Sequence, residues 1–237
     1  MPNALVVTAH PGDFVWRAGG AIALHARAGY KVHIVCISFG ERGESQGAWA
    51  KPGATLEGVK AGRKAEAEAA AEVLGASIEF YDAGDYPLGV TPELHDRLVD
   101  TYRALRPEFV LTHAASDPYN FDHPAANQLA QSARIVAQAA GHKPGPDAVY
   151  RAPQVYMFEP HQTEMCGFKP DVILNIDAVW ETKRKAFECL PAQTHLWGYY
   201  ERVALNRGIQ GGRNAGIRMT YGEAYQRIFP EVVDALR

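Results

Sequence analysis

ALVVTAHPGDFVWRAGGAIALHARAG, Ala4 to Gly29, is the stretch from which the fold is read. Its opening ALVVTA is a short apolar run of strand type, and RAGGAIALHARAG carries helix-forming residues closed by a glycine. A strand handed directly to a helix is the first half of a βαβ unit. His10 and Asp13 sit at the junction, three residues apart, with Gly12 between them. On spacing alone the pair is either the start of a metal site or a turn that caps a helix, because aspartate serves in both.

The same alternation continues outward. KVHIVCISFG (31–40) is a second strand, and TLEGVKAGRKAEAEAAAEVLG (55–75) a helix with Gly75 as its C-cap. IEFYDAG (78–84) is a third strand, followed by a helix in TPELHDRLVDTYRALRP (91–107), with threonine as N-cap and proline in the first turn. EFVLTHAA (108–115) is a fourth strand, and HPAANQLAQSARIVAQAAG (123–141) a further helix. APQVYMFEPH (152–161) and DVILNID (171–177) read as strands, and VWETKRKAFECL (179–190) as a helix. GHKPGPDAVYRAP (141–153) is the most loop-like segment, and RGIQGGRNAGIR (207–218) reads as a glycine-rich loop carrying three arginines. The pattern predicts one α/β domain over residues 1–237, Rossmann-like, with a mostly parallel sheet and helices on both faces.

Composition narrows the function. A net charge of -3 over 237 residues leaves no general electrostatic footprint for nucleic acid. No apolar run approaches the length of a membrane span, and the N-terminus lacks the pattern of a secretory signal. Three cysteines, Cys36, Cys166 and Cys189, have no metal-type spacing and suit a reducing cytoplasm. The aromatic stretch HLWGYY (195–200) offers a subunit contact, so a homo-oligomer is expected.

In open parallel sheets, ligands bind beyond the carboxyl ends of the strands. There the chain offers His10 and Asp13; then Glu41, Arg42 and Glu44; then Asp82 and Asp85. The fourth strand end supplies His113, Asp117, Asn120, Asp122 and His123, and the fifth His161. His10, Asp13 and His123, brought together, would hold Zn²⁺ with a coordination position open to water or substrate, and the same set suits Fe²⁺. Asp122 would orient a ligand imidazole or a bound water. DPYNFDHP (117–124), taken alone, is also an ordinary proline-bounded turn. His25 and His33 are expected to be structural or surface residues, His95 and His142 to be exposed, and His195 is ambiguous.

These motifs resemble the LmbE-like, or PIG-L, superfamily of zinc-dependent N-acetylglucosaminyl deacetylases. AHPGDF with the following Gly-Gly matches that family's Ala-His-Pro-Asp-Asp-Glu opening, and Asp122-His123-Pro124 lies in its later His-Pro-Asp-His motif. RKAEAEAAAEVLG (63–75) resembles its Arg-x-x-Glu helix, and YGEAYQ (221–226) its Glu-containing motif near the C-terminus. The resemblance implies metal ligation by His10, Asp13 and His123. It also exposes departures. The deacetylase general base corresponds to Gly12, the following glutamate to Phe14, and the histidine that polarises the transition state to Asn120. General base catalysis is worth on the order of 10²–10⁴ in rate, so amide hydrolysis should be crippled while the metal cage survives.

DFVWRAGGAIALHA (13–26), VHIVCISFGERGES (32–45), DPYNFDHP, FEPHQ (158–162) and HLWGYYERVALNRG (195–208) resemble a hydratase branch of that superfamily. The resemblance implies hydration of the carbon–carbon double bond of an unsaturated tricarboxylate formed in gallate and protocatechuate degradation. Acid/base work is expected of Glu44 and His161, less of Glu41, and carboxylate binding of Arg42, Arg213 and Arg218, with Arg17 and Arg63 behind them. Two other readings stand beside this one. One is a zinc-dependent amide hydrolase of an acetylated amino sugar or thiol conjugate, using a replacement base; the other is a non-catalytic metal-binding protein on the same scaffold.

Overall fold

The computed structural model describes residues 1–143 and 152–235. In chain order it contains β1 (Asn3–Thr8), α1 (Asp13–Arg27), β2 (Lys31–Cys36), α2 (Gln46–Trp49), α3 (Leu56–Leu74) and β3 (Ser77–Phe80). These are followed by α4 (Pro92–Leu105), β4 (Phe109–Thr112), α5 (Asp122–Val136), β5 (Gln154–Phe158) and β6 (Val172–Asn175). The chain ends with α6 (Trp180–Glu188), α7 (Trp197–Ala215) and β7 (Gly222–Arg227), and a 3₁₀ segment, Pro191–Leu196, joins α6 to α7. The loop expected across 141–153 lies largely outside the described residues.

The strands form one sheet in the order β3-β2-β1-β4-β5-β7-β6. β3, β2, β1, β4 and β5 are mutually parallel, whereas β7 runs antiparallel to both neighbours. The mostly parallel, Rossmann-like α/β sheet is therefore observed. β1 shows why the sheet needs cover on both sides. Ala4 and Val6 face a core shared with α1, α3 and α6, while Leu5 and Val7 face one shared with α4 and α5. Apolar residues at every position of a strand buried on both faces explain the continuous run ALVVTA. The strand order reverses between β1 and β4, and the crevice outside their carboxyl ends is the natural ligand position of such a sheet.

One local expectation changes. RGIQGGRNA is helical, forming the last turns of α7 and not a loop. Its glycines serve close packing: a β-carbon at Gly208 would lie 1.9 Å from the Thr220 carbonyl oxygen, where the returning chain crosses the helix. YGEAYQ supplies the seventh strand. Within HLWGYY, Tyr200 is buried and stacked on Trp16 at 5.6 Å between ring centres, Leu196, Trp197 and Tyr199 are half-buried, and His195 and Gly198 are exposed.

The C-terminal strand is tied to α6 by a buried ion pair and to α1 by hydrogen bonds. Lys183 Nζ donates to Glu223 Oε1 at 2.6 Å and to the Trp16 carbonyl at 2.8 Å. Glu223 also accepts from the backbone N–H groups of Gly20 and Ala21 and from the Tyr225 hydroxyl. The glutamate of the YGEAYQ motif thus has a structural job: it holds the first helix, and so its N-terminal Asp13, against the sheet. His25 packs its ring on Phe109, and His33 bonds Ser77 and Glu79, as structural residues would. His95 and His142 are half-buried and not fully exposed, engaged with Ser132 and Asp96.

Candidate active site

A cavity of about 330 Å³ opens at the carboxyl edge of the sheet. Asp13 reaches it from the end of β1, Glu44 from the loop after β2, and Tyr86 from the loop after β3. Asp117, Asn120 and His123 come from beyond β4, and His161 from beyond β5. Five strand ends therefore converge on one space. The 3₁₀ segment and α7 close it with Gln193, His195, Leu196 and Tyr200.

His10, Asp13 and His123 each place a ligand atom within 4.8 Å of the others, and all three are buried. Each imidazole is gripped through the nitrogen that faces away from the cluster. His123 Nδ1 pairs with Asp117 Oδ2 at 2.8 Å, and His10 Nε2 with Asp122 Oδ2 at 3.1 Å. Asp122 is itself fixed by the N–H groups of Tyr86 and Leu88, both at 2.9 Å. Carboxylates behind both imidazoles set ring orientation and raise ligand basicity, as at metal centres generally. Asp122 thus orients His10 and not its neighbour His123, whose partner is Asp117.

A divalent ion fits this set. His123 Nε2 is buried without a hydrogen-bond partner among the described residues and lies 3.5 Å from Asp13 Oδ1. Burial disfavours an imidazolium at His10, yet hydrogen bonds to Asp122 and Asp13 outweigh it and raise its pKa to about 10. Burial likewise opposes the Asp13 carboxylate, but the His123 charge and hydrogen bonds from His10 and His123 hold it well below its usual range. The cluster calls for positive charge at its centre. His113, beneath it, accepts a hydrogen bond from the Ala9 N–H at 2.9 Å; burial and the His123 charge keep it neutral.

Glu44 is paired with neither Arg42 nor Arg63. Oε1 accepts from the Tyr86 hydroxyl and from Asn120 Nδ2, both at 2.9 Å, and Oε2 from Gln193 Nε2 at 3.1 Å. The loop that carries it is pinned by Asp85, which takes the N–H groups of Arg42 and Gly43 at 2.8 and 2.7 Å. His161 stacks on Tyr199 at 4.1 Å between ring centres. Burial, then the Arg17 charge, lowers its pKa below the ordinary 6.5, so it is a neutral imidazole near pH 7.

Gly12 has helical dihedrals, φ -79° and ψ -28°, so glycine is not needed there for backbone freedom. It is needed for space. A β-carbon would lie 2.5 Å from Gln193 Oε1 and 2.5 Å from Trp16 Nε1. The place where a deacetylase carries its base is filled by these two side chains.

The arginines are placed differently from expectation. Arg42 is exposed, with its guanidinium on the Asp85 carbonyl, and does not line the cavity. Arg213, in the last turn of α7, and Arg218, just beyond it, are exposed; Arg213 is thirteen residues past Tyr200, about 20 Å along the helix axis at ~1.5 Å per residue. Arg63 is buried on Glu66 and Gln193, outside the cavity wall. Arg17, one turn after Asp13, does line it. Glu41 is buried and accepts from the Phe39 N–H, away from the cavity. Tyr86, Asp117, Gln193 and Tyr200 had no assigned role from sequence. The strand-end rule reaches the first two, whereas nothing local marks Gln193.

The chain is similar to several proteins of known family and fold. Residues 5–134 match the family described as PIG-L, GlcNAc-PI de-N-acetylase. A 4-oxalmesaconate hydratase of Pseudomonas putida is 56% identical over 99% of this chain and 92% of its own length. The crystal structure of GalB, the 4-carboxy-2-hydroxymuconate hydratase from Pseudomonas putida KT2440, superposes with a TM-score of 0.98 at 55% identity, covering 100% of both chains. An N,N'-diacetylchitobiose deacetylase from Pyrococcus horikoshii shares the fold, with a TM-score of 0.79 at 22% identity over 95% of this chain and 83% of its own. The chain belongs to the PIG-L family.

Proposed function

We propose that this PIG-L family member is a metal-dependent hydro-lyase that adds water to the double bond of 4-oxalomesaconate (4-carboxy-2-hydroxymuconate), giving 4-carboxy-4-hydroxy-2-oxoadipate. The observation that carries the reading is likeness at full length to hydratases, joined to a site in which Gln193 and Trp16 occupy the deacetylase base position. Zn²⁺ is the proposed ion, held by His10, Asp13 and His123; Fe²⁺ suits the same donors. When bound, it supplies Lewis acidity for an oxygen ligand of the cavity.

The chain's own groups do the rest. Alkene hydration needs a proton acceptor for water and a proton donor for the carbon that receives hydrogen. Glu44 is held in one orientation by Tyr86, Asn120 and Gln193, beside the ligand cluster, and is the proposed acceptor. His161 reaches the cavity from a different loop. Neutral at rest, its imidazole first takes up a proton, in net balance the one that water yields to Glu44, and as the imidazolium so formed delivers it to carbon and returns to the neutral form. Asn120 stands where a deacetylase carries a cationic imidazole; here its amide links Glu44 to Asp122 by donating to one and accepting from the other's N–H.

Three free cysteines and a small polar substrate support a cytoplasmic location. Among the described residues no helix is long and apolar enough to cross a membrane. Tyr119, Phe121 and Ile135, 60%, 80% and 60% exposed, support self-association, which sedimentation would test. The functional test is metal analysis combined with ultraviolet loss of the conjugated substrate, before and after chelation. The expected result is about one metal per chain, turnover that chelation stops and Zn²⁺ restores, and no acetate from N-acetylglucosamine derivatives. Acetate release without alkene hydration would establish an amide hydrolase instead.

A further inference from the structure

Arg17 is the outstanding anomaly of the cavity. The residue is 7% exposed, and its Nε and Nη1 are buried with no hydrogen-bond partner among the described residues. A guanidinium cannot shed its charge, and buried polar groups of this kind are normally satisfied. Its nearest anion, Asp13 Oδ1, stands 3.5 Å from Nε, too far for a well-formed charge-assisted hydrogen bond. Asp13 is also committed to the His10 and His123 cluster. The remaining ionisable groups on the wall are carboxylates, imidazoles and tyrosine phenols, so Arg17 is the one permanent cation lining the cavity among the described residues.

We infer that Arg17 is the carboxylate anchor of the site, binding bidentately the substrate carboxylate that lies beside the metal ligands. The inference rests on the proposed hydratase reading for the identity of the substrate, but the ligand chemistry follows from the guanidinium itself. Planar, forked donors match a carboxylate edge. The position fits as well. Arg17 follows Asp13 by one helical turn, so both project from the same face of α1 into the cavity. A carboxylate held there would place the adjoining carbon chain between Glu44 and His161. The three exposed or externally paired arginines that the sequence suggests for this task lie elsewhere, and Arg17 carries it from inside.

The test uses the metal-loaded full chain as wild type, Arg17→Lys and Arg17→Ala. Metal content and melting temperature are measured for each, then turnover of 4-oxalomesaconate and the affinity of tricarballylate, a non-hydratable tricarboxylate, by calorimetry. Loss of two charge-assisted hydrogen bonds corresponds to roughly 10²–10⁴-fold. Arg17→Ala is expected to raise KM and weaken tricarballylate by about that factor with metal content unchanged, and added methylguanidinium should restore part of the turnover. Arg17→Lys should fall between, because a point charge replaces a fork. A purely structural role predicts lost metal or a lower melting temperature, with tricarballylate affinity unchanged in Arg17→Lys, and that result overturns the inference. If wild type fails to hydrate 4-oxalomesaconate yet binds tricarballylate in an Arg17-dependent way, the anchor stands and the hydratase reading falls. If hydration proceeds and neither KM nor tricarballylate affinity responds to either substitution, the anchor falls alone.

Discussion

Gly12→Ala isolates the claim that residue 12 is glycine for space. The helical dihedrals there are open to alanine, and relief of unfolded-state entropy would by itself stabilise by about 0.4–1 kcal/mol. Against this stand two contacts at 2.5 Å. Trp16 cannot retreat, since its ring is only 3% exposed and wedged between Phe187 and Tyr200. Gln193 is held by Arg63 Nη2 at 3.0 Å on its oxygen and by Glu44 on its nitrogen. Overpacking of this kind is worth about 1–3 kcal/mol, leaving a net destabilisation of about 1–2 kcal/mol after the entropic gain. For a chain of this size that is a melting-temperature drop of about 2–8 °C, read by calorimetry. Displacing Gln193 also frees one oxygen of Glu44, so kcat should fall roughly tenfold, the scale of one such hydrogen bond. Gly12→Asp adds a buried charge to the same clash and should lower stability further, without deacetylase activity. A Gly12→Ala protein as stable as wild type, or a Gly12→Asp protein that releases acetate, would refute the reasoning.

Three further outcomes are expected. Glu44→Gln and His161→Asn should each lower kcat by about 10²–10⁴ while metal content stays constant; turnover within a few-fold of wild type would remove them from the acid/base role. The kcat profile should lose activity with falling pH at a midpoint below 6.5, because burial and Arg17 depress His161 and protonation abolishes the neutral imidazole. In Arg17→Ala, with Asp117, Glu44 and His123 still facing the ring, that midpoint should move up, since removing a cation favours the imidazolium. Glu223→Ala strands the Lys183 ammonium in the core and should destabilise by about 3–5 kcal/mol, whereas Lys183→Met combined with Glu223→Gln should recover part of the loss; urea denaturation distinguishes the two.

Much of the fold was legible because its causes are local. β1 to β6 are continuous or alternating apolar runs, α3 is announced by its helix-forming composition and the left-handed Gly75 at its end, and α4 by a threonine N-cap whose hydroxyl does accept from the Leu94 N–H. The end of α7 resembles a loop in sequence, with three glycines in six residues, yet Gly208 and Gly211 are where the helix meets Thr220 and Met219. β7 hid behind a glutamate, which the alternation of a half-buried strand would place outside but which is buried on Lys183. His10, Asp13, His123, Glu44 and His161 could be named as candidates because each follows a strand, and strand ends share one edge of a parallel sheet.

What the sequence determined by itself was the list of chemically able side chains and the edge to which they belong, since residue type and strand periodicity are properties of short segments. What tertiary structure alone decided was pairing: Asp117 behind His123, Asp122 behind His10, Gln193 against both Gly12 and Glu44, and Arg17 inside while Arg213 and Arg218 lie outside. Those contacts join residues up to 181 positions apart, as Gln193 is from Gly12. Which of several similar side chains completes such a contact is settled by the packing of helices on the sheet, and no local pattern encodes it.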